Sequence, residues 1–219
     1  MPLRGLFIII ITVFLSWSGS VLANTSSQTR TLLVWGDSLS AAYGISTNEG
    51  WVQLLQSKLE NTEGAKDIKV VNGSVSGETT SGGLTRFPAH LDTYKPDFVI
   101  LELGANDGLR GLSIKAMRSN LEQMIQLAQK SGAKVALLGM HMPANFGRLY
   151  REQYDKTFTV LAEQYQLPFN AFFLEGVALQ DELLLPDGLH PNAKAQPKLL
   201  ENIWPVVVEL LELEEVAVQ

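Results

Sequence analysis

Thr31-Leu32-Leu33-Val34-Trp35-Gly36-Asp37-Ser38-Leu39-Ser40 begins as an apolar run and breaks at a glycine into an acid and two hydroxyl residues. An unbroken apolar run bounded by turn residues is the pattern of a strand buried on both faces. The same pattern recurs outward from this stretch. Ile68 to Val71, Phe98 to Leu103, Lys134 to Met140 and a short piece within Leu167 to Phe173 read as further strands. Between them the spacing turns helical. Trp51, Leu54, Leu55 and Leu59 form one stripe, and Met117, Leu121, Met124, Ile125 and Ala128 form another within Ile114 to Lys130. Tyr150 to Tyr165 and Asn192 to about Val216 complete the helices, and His90 falls in a helix after Pro88. Strands alternating with helices predict a parallel sheet covered on both faces. No repeat or long linker divides the chain, so residues 24–219 read as one domain.

Met1 to Ala23 stands apart as a secretory signal peptide. Arg4 supplies its charge, Leu6 to Leu15 its apolar stretch and Val21-Leu22-Ala23 its cleavage site. That stretch is short for a membrane span of ~20 apolar residues. The expectation is therefore cleavage after Ala23, export to the periplasm or medium, and no stable membrane insertion afterwards.

Composition narrows the partners. A formal net charge of −6 argues against nucleic acid and leaves no polybasic patch for an anionic membrane. The chain has no cysteine, which excludes disulfides, thiolate metal sites and a cysteine nucleophile. His90, His141 and His190 lack metal-ligand spacing, so neither a metal nor a cofactor is expected.

In open parallel sheets, ligands sit beyond the carboxyl ends of the strands. Gly36-Asp37-Ser38 follows the first strand, Asn72 to Gly77 the second, Gly104 to Gly108 the third, and His141 to Asn145 the fourth. Asp187-Gly188-Leu189-His190 precedes the last helix. A serine hydroxyl needs a base held in the right tautomer before it attacks. Ser38 is the candidate nucleophile, His190 the base and Asp187, three residues earlier, the carboxylate that orients it. His141 competes because it also follows a strand, but it has no carboxylate within three residues. A tetrahedral oxyanion needs donors, and the N–H groups of Ser38 and Gly77 and the side-chain amide of Asn106 could supply them. Taken singly, Ser38 could equally cap a helix, Gly77 and Asp187 could be plain turn residues, and Asn106 could close an Asx-turn. The Gly-x-Ser-x-Gly elbow and the phosphate-binding glycine loop are both missing.

GDSLS at 36–40, NGSVSG at 72–77, GANDG at 104–108 and DGLHPN at 187–192, in that order, resemble the four blocks of the SGNH (GDSL-type) hydrolase family. LELGANDGLRG, MPANFGR and DGLHPNAKAQP are similar to its subgroup of bacterial periplasmic thioesterases and lysophospholipases. The resemblance implies a flavodoxin-like three-layer α/β/α sandwich with a five-stranded parallel sheet, no metal and a monomer. It implies hydrolysis of acyl-thioesters, lysophospholipids and small aryl or alkyl esters, with Ser38, Asp187 and His190 as the triad. His141 stands where that subgroup is expected to carry another residue. Gly44, Ile45, Leu109, Pro143 and Phe146 are candidates for the rim that takes the acyl chain, against a plain role in loop packing. A carbohydrate acetyl-esterase and a non-catalytic lipid or acyl binder on the same fold remain open alternatives.

Overall fold

In the computed structural model, which describes residues 29–214, the opening apolar run is strand β1 (Arg30–Gly36). The other strands are β2 (Ile68–Asn72), β3 (Phe98–Glu102), β4 (Lys134–Leu138) and β5 (Phe169–Asn170). They form one parallel sheet in the order β2-β1-β3-β4-β5. Every residue of β3 and Leu32 to Gly36 of β1 are buried, as a sheet covered on both faces requires. The helices are α1 (Trp51–Glu60), α2 (Thr80–Tyr94), α3 (Ala105–Leu109), α4 (Ile114–Lys130), α5 (Arg148–Tyr165) and α6 (Gln196–Leu211). α1 and α6 pack together on one face, and α2, α4 and α5 pack together on the other. The expected three layers are thus present.

α4 has the bounds its stripe predicts, and the remaining differences have local causes. β4 stops at Leu138 because β5 offers only two residues to pair with. The closing helix was expected from Asn192. Asn192 instead caps a 3-10 turn, its side chain accepting from Lys194 N, and α6 starts at Gln196. α6 ends at Leu211, where Glu212 adopts φ 53°, and Val216 lies outside the described residues.

α2 begins well before Pro88, although Gly82, Gly83 and Pro88 are poor helix formers. Its start is secured by the Thr79 side chain, which accepts from Gly82 N, and by the Asp107 carboxylate, which accepts from Thr80 N at 2.8 Å. A carboxylate at a helix N-terminus is favoured by the helix dipole. Phe87 and Leu91 then bury against the sheet, and this packing outweighs propensity.

The strand order reverses between β1 and β3, which lie side by side in the middle of the sheet. That reversal opens a crevice at the carboxyl ends of the two strands. Ser38 follows one and Asn106 follows the other.

Candidate active site

Beyond Gly36 the chain turns at once. Ala41 N donates to Asp37 O at 2.9 Å, and Leu39 N donates to the Asp37 carboxylate at 3.1 Å. Asp37, not Ser38, is therefore the capping residue of the turn, and the Ser38 hydroxyl is left for other work. Asp37 is buried, and burial pushes its carboxyl up to about 6 against the pull of the Leu39 N–H and the Asn106 amide. Glu102, at the end of β3, is also buried. It accepts from Ser40 Oγ at 2.7 Å, and its carboxyl is held well above the usual range by burial and by the Asp37 charge.

Asp187 and His190 sit on a tight hairpin closed by an antiparallel bridge between Leu184 and Pro191. Within it Gly188 N donates to Leu185 O at 2.9 Å. Asp187 Oδ1 accepts from the backbone N–H groups of Leu189 (2.9 Å) and His190 (3.0 Å), and Oδ2 lies 2.7 Å from His190 Nδ1. These two backbone bonds, then the imidazole, draw the Asp187 carboxyl down to about 2. His190 Nε2 is 2.9 Å from Ser38 Oγ. The ring also packs on Tyr43, centroids 4.5 Å apart. A carboxylate on Nδ1 leaves Nε2 free to accept a proton from a hydroxyl.

Gly77 adopts φ +77°, a left-handed conformation that only glycine takes without strain. Its carbonyl accepts from Arg110 Nη2 at 2.9 Å. The same nitrogen lies 3.4 Å from Asn106 Oδ1, and Asn106 Nδ2 donates to Asp37 Oδ2 at 3.0 Å. A guanidinium only donates and a carboxylate only accepts. The two partners therefore set the amide one way round, with the second Nδ2 hydrogen left for a ligand. Asp107, the next residue, holds the N-terminus of α2 through Thr80, and Thr80 Oγ is in turn met by Asn120 Nδ2 at 3.0 Å. Asn106 lies on the short helix α3, not in the Asx-turn that was its alternative.

His141 finds a carboxylate that its sequence neighbourhood does not contain. Its Nδ1 is 3.1 Å from Asp155 of α5, and its ring packs on Phe172 at 4.5 Å. The hydrogen-bond partner of Ser38 Oγ is His190.

The rim candidates fall into different settings. Gly44 lies against Leu185, in the hairpin that carries Asp187, and Ile45 is half-buried. Leu109 ends α3 and is exposed, as are Leu112, Tyr43, Val75 and Leu189. Pro143 precedes a 3-10 turn whose Phe146 stacks on Tyr150, and the Tyr150 hydroxyl donates to Gly108 O at 2.9 Å. Phe146 is thus braced toward α3 rather than free. Sequence reasoning missed Glu102, Arg110 and the structural part of Asp37. Arg110 had a usable signal in the helical spacing i, i+4 from Asn106, and Glu102 in being an acid inside an otherwise apolar strand.

Among the described residues no group of acids and histidines is placed to hold a metal, and no helix is long and apolar enough to cross a membrane. Residues 34–196 match the GDSL-like lipase/acylhydrolase family. The chain is 47% identical over 191 residues to the esterase TesA of Pseudomonas aeruginosa, covering 87% of this chain and 94% of that protein. It is 40% identical over 167 residues to thioesterase 1/protease 1/lysophospholipase L1 of Escherichia coli K12, covering 76% and 78%. A crystal structure of the psychrotrophic esterase EstA from Pseudoalteromonas sp., inhibited by monoethylphosphonate, matches with TM-score 0.78 and 40% identity, over 84% of this chain and 99% of that one.

Proposed function

The chain belongs to the GDSL-like lipase/acylhydrolase family, and on that premise we propose that it hydrolyses carboxylic esters and thioesters through an acyl-enzyme on Ser38. The observation that carries this reading is the unbroken line from Asp187 Oδ2 through His190 to Ser38 Oγ, at 2.7 and 2.9 Å. Ser38 Oγ attacks the acyl carbonyl carbon while His190 Nε2 takes the hydroxyl proton. Asp187, ionised down to about pH 2, stabilises the imidazolium that results. The oxyanion is met by the N–H groups of Ser38 and Gly77 and by the free Nδ2 hydrogen of Asn106. The intermediate collapses by breaking the bond to the leaving oxygen or sulfur, and His190 returns its proton to that atom. Water then attacks the acyl-enzyme with His190 again as base, releasing the acid and restoring Ser38.

The acyl chain lies along the exposed Leu109 and Leu112, with Gly44 and Ile45 on the hairpin side and Pro143 and Phe146 beyond. Each methylene buried there contributes ~0.8 kcal/mol, so groove length sets chain preference among lysophospholipids, acyl-thioesters and small aryl or alkyl esters. Met1 to Ala23, outside the described residues, serves as an export signal. N-terminal sequencing of the protein recovered from a periplasmic fraction should begin at Asn24.

The test is Ser38→Ala assayed on p-nitrophenyl esters of increasing chain length. Turnover should fall by ~10⁴-fold or more in a variant that keeps its fold. Wild-type turnover would overturn the assignment, and a preference for acetylated sugars over long-chain lysophospholipids would redirect the substrate.

A further inference from the structure

The turn that carries Ser38 is gripped from behind by a carboxyl group that the acyl-transfer steps do not use. Glu102 ends β3 directly opposite Gly36 in the sheet register, and it is 1% exposed. Its Oε2 accepts from Ser40 Oγ at 2.7 Å and from Asp37 N at 3.3 Å. These donors stand on either side of Ser38, one residue before it and two after. A single carboxyl oxygen thus bridges the nucleophile's turn.

Gly36 is what admits that carboxyl. A Cβ at position 36 would meet Glu102 Oε2 at 2.5 Å and Ser40 Oγ at 2.8 Å, distances that real Cβ contacts do not tolerate. The glycine at the head of the Gly36-Asp37-Ser38 turn is therefore required by Glu102 and Ser40, although its own conformation is ordinary strand.

A glutamate is a costly choice for this position. The rest of β3, Phe98 to Leu101, is apolar and buried, and an apolar residue at 102 would continue it. Among the described residues no Lys, Arg or His forms an ion pair with Glu102, and Asp37 lies beside it. Burying a carboxyl without a cation disfavours the fold. The return on that cost is geometry.

We propose that Glu102 is a positioning residue for the nucleophile: its carboxyl clamps Asp37 and Ser40 so that Ser38 Oγ is presented to His190 and the Ser38 N–H to the oxyanion. Asp37 also accepts from Asn106, so a shift of Asp37 would disturb two oxyanion donors together. The inference rests on the reading of Ser38 as nucleophile.

The experiment uses the full chain and its Glu102→Ala, Glu102→Gln, Ser40→Ala and Glu102→Ala/Ser40→Ala variants. Two quantities are read: kcat and KM on a p-nitrophenyl ester, and the rate of fluorophosphonate labelling. Misplacing a reacting group by an ångström costs on the order of 100-fold. Glu102→Ala should therefore lower kcat and the labelling rate by about 10- to 100-fold, with KM within about twofold of wild type. Glu102→Gln keeps an oxygen that can accept both bonds and should recover most of the loss. Ser40→Ala should slow labelling by about threefold, and the double variant should be no slower than Glu102→Ala, because both remove the same contact. A folded Glu102→Ala with labelling within about twofold of wild type would overturn the clamp. So would Ser40→Ala at the wild-type rate, which decides the matter if Glu102→Ala does not fold. A wild-type protein that never labels at Ser38 would instead overturn the nucleophile assignment beneath it.

Discussion

Ser38 and His190 meet across 152 residues of chain, and the two sides of that contact are held by opposite means. The serine side is buried and long-range. Its turn is tied to Glu102 and Asn106 of other elements, and Asn72 Nδ2 donates to Ser40 O at 2.8 Å. The histidine side is local, on a hairpin whose residues Pro186 to Leu189 are exposed. Asp187 reaches His190 within one hairpin, and its carboxylate is oriented by N–H groups two and three residues away. In the proposed role as nucleophile, Ser38 must be placed against donors from two other segments, the Gly77 turn and α3, and anchoring in the sheet meets that need. A base needs only a fixed tautomer and one contact, and a tight turn supplies both. The two sides also respond oppositely to protons. Burial raises Asp37 and Glu102, whereas donated N–H groups lower Asp187.

The largest expected effect cuts the local side. Asp187→Asn should lower kcat by ~10³- to 10⁴-fold with little change in KM, because the amide can stabilise the wrong imidazole tautomer. Steady-state kinetics on a purified, folded variant checks this. A loss below about tenfold would mean that the hairpin backbone, not the carboxylate, orients His190.

On the long-range side the proposed oxyanion donors come next. Asn106→Ala should reduce kcat by ~10²- to 10³-fold. Arg110→Ala should cost about tenfold, since Arg110 touches Gly77 and Asn106 rather than the substrate. Combining the two should cost less than the product of the single losses, the remaining Arg110 effect acting through Gly77. Fully multiplying losses in kcat would show that Arg110 acts independently of the amide it holds.

The smallest effect is the most direct comparison of the two sides. A carboxyl whose folded pKa is raised holds its proton more tightly in the native state. Asp37 therefore costs the wild type stability as pH climbs from its ordinary 3.8 through about 6. Asp187, lowered to about 2, contributes stability that is present above 3.8 and is lost as pH falls through about 2. The difference in Tm between Asp37→Asn and wild type should thus rise with pH across the first window. That between Asp187→Asn and wild type should fall with pH across the second. Glu102, Asp107, His190 and Tyr154 are the charged or titratable groups coupled to Asp37, so the measurement is best repeated with Glu102→Gln as background. Slopes of the same sign in both windows would contradict the opposed environments of the two carboxylates.

Legibility in the sequence followed the range of the interactions. β1 and β3 could be read because each is built on an apolar run, and α4 because its stripe spans the whole helix. The Asp187–His190 pairing could be read because its three-residue spacing is closed by one turn. α2 and α3 could not be bounded. Thr80 depends on Asp107 of α3, and Pro88 and the glycines point away from helix until Phe87 and Leu91 have a sheet to cover. The sequence neighbours of His141 include no carboxylate within three residues, and its partner, Asp155, comes from α5.

The order of apolar runs and turns determined that this chain makes a parallel sheet with its polar residues at the strand ends, because burial and turn chemistry are local properties of residues. It also put Ser38 just past the end of the first strand and Asp187 and His190 together on one turn before the last helix. Which of them touch, and what holds them there, was decided in three dimensions. Strand register sets Glu102 opposite Gly36, and the side-by-side pairing of β1 and β3 at the middle of the sheet brings Asn106 to Asp37. Contacts between residues more than sixty positions apart follow from that register, and no local spacing encodes them.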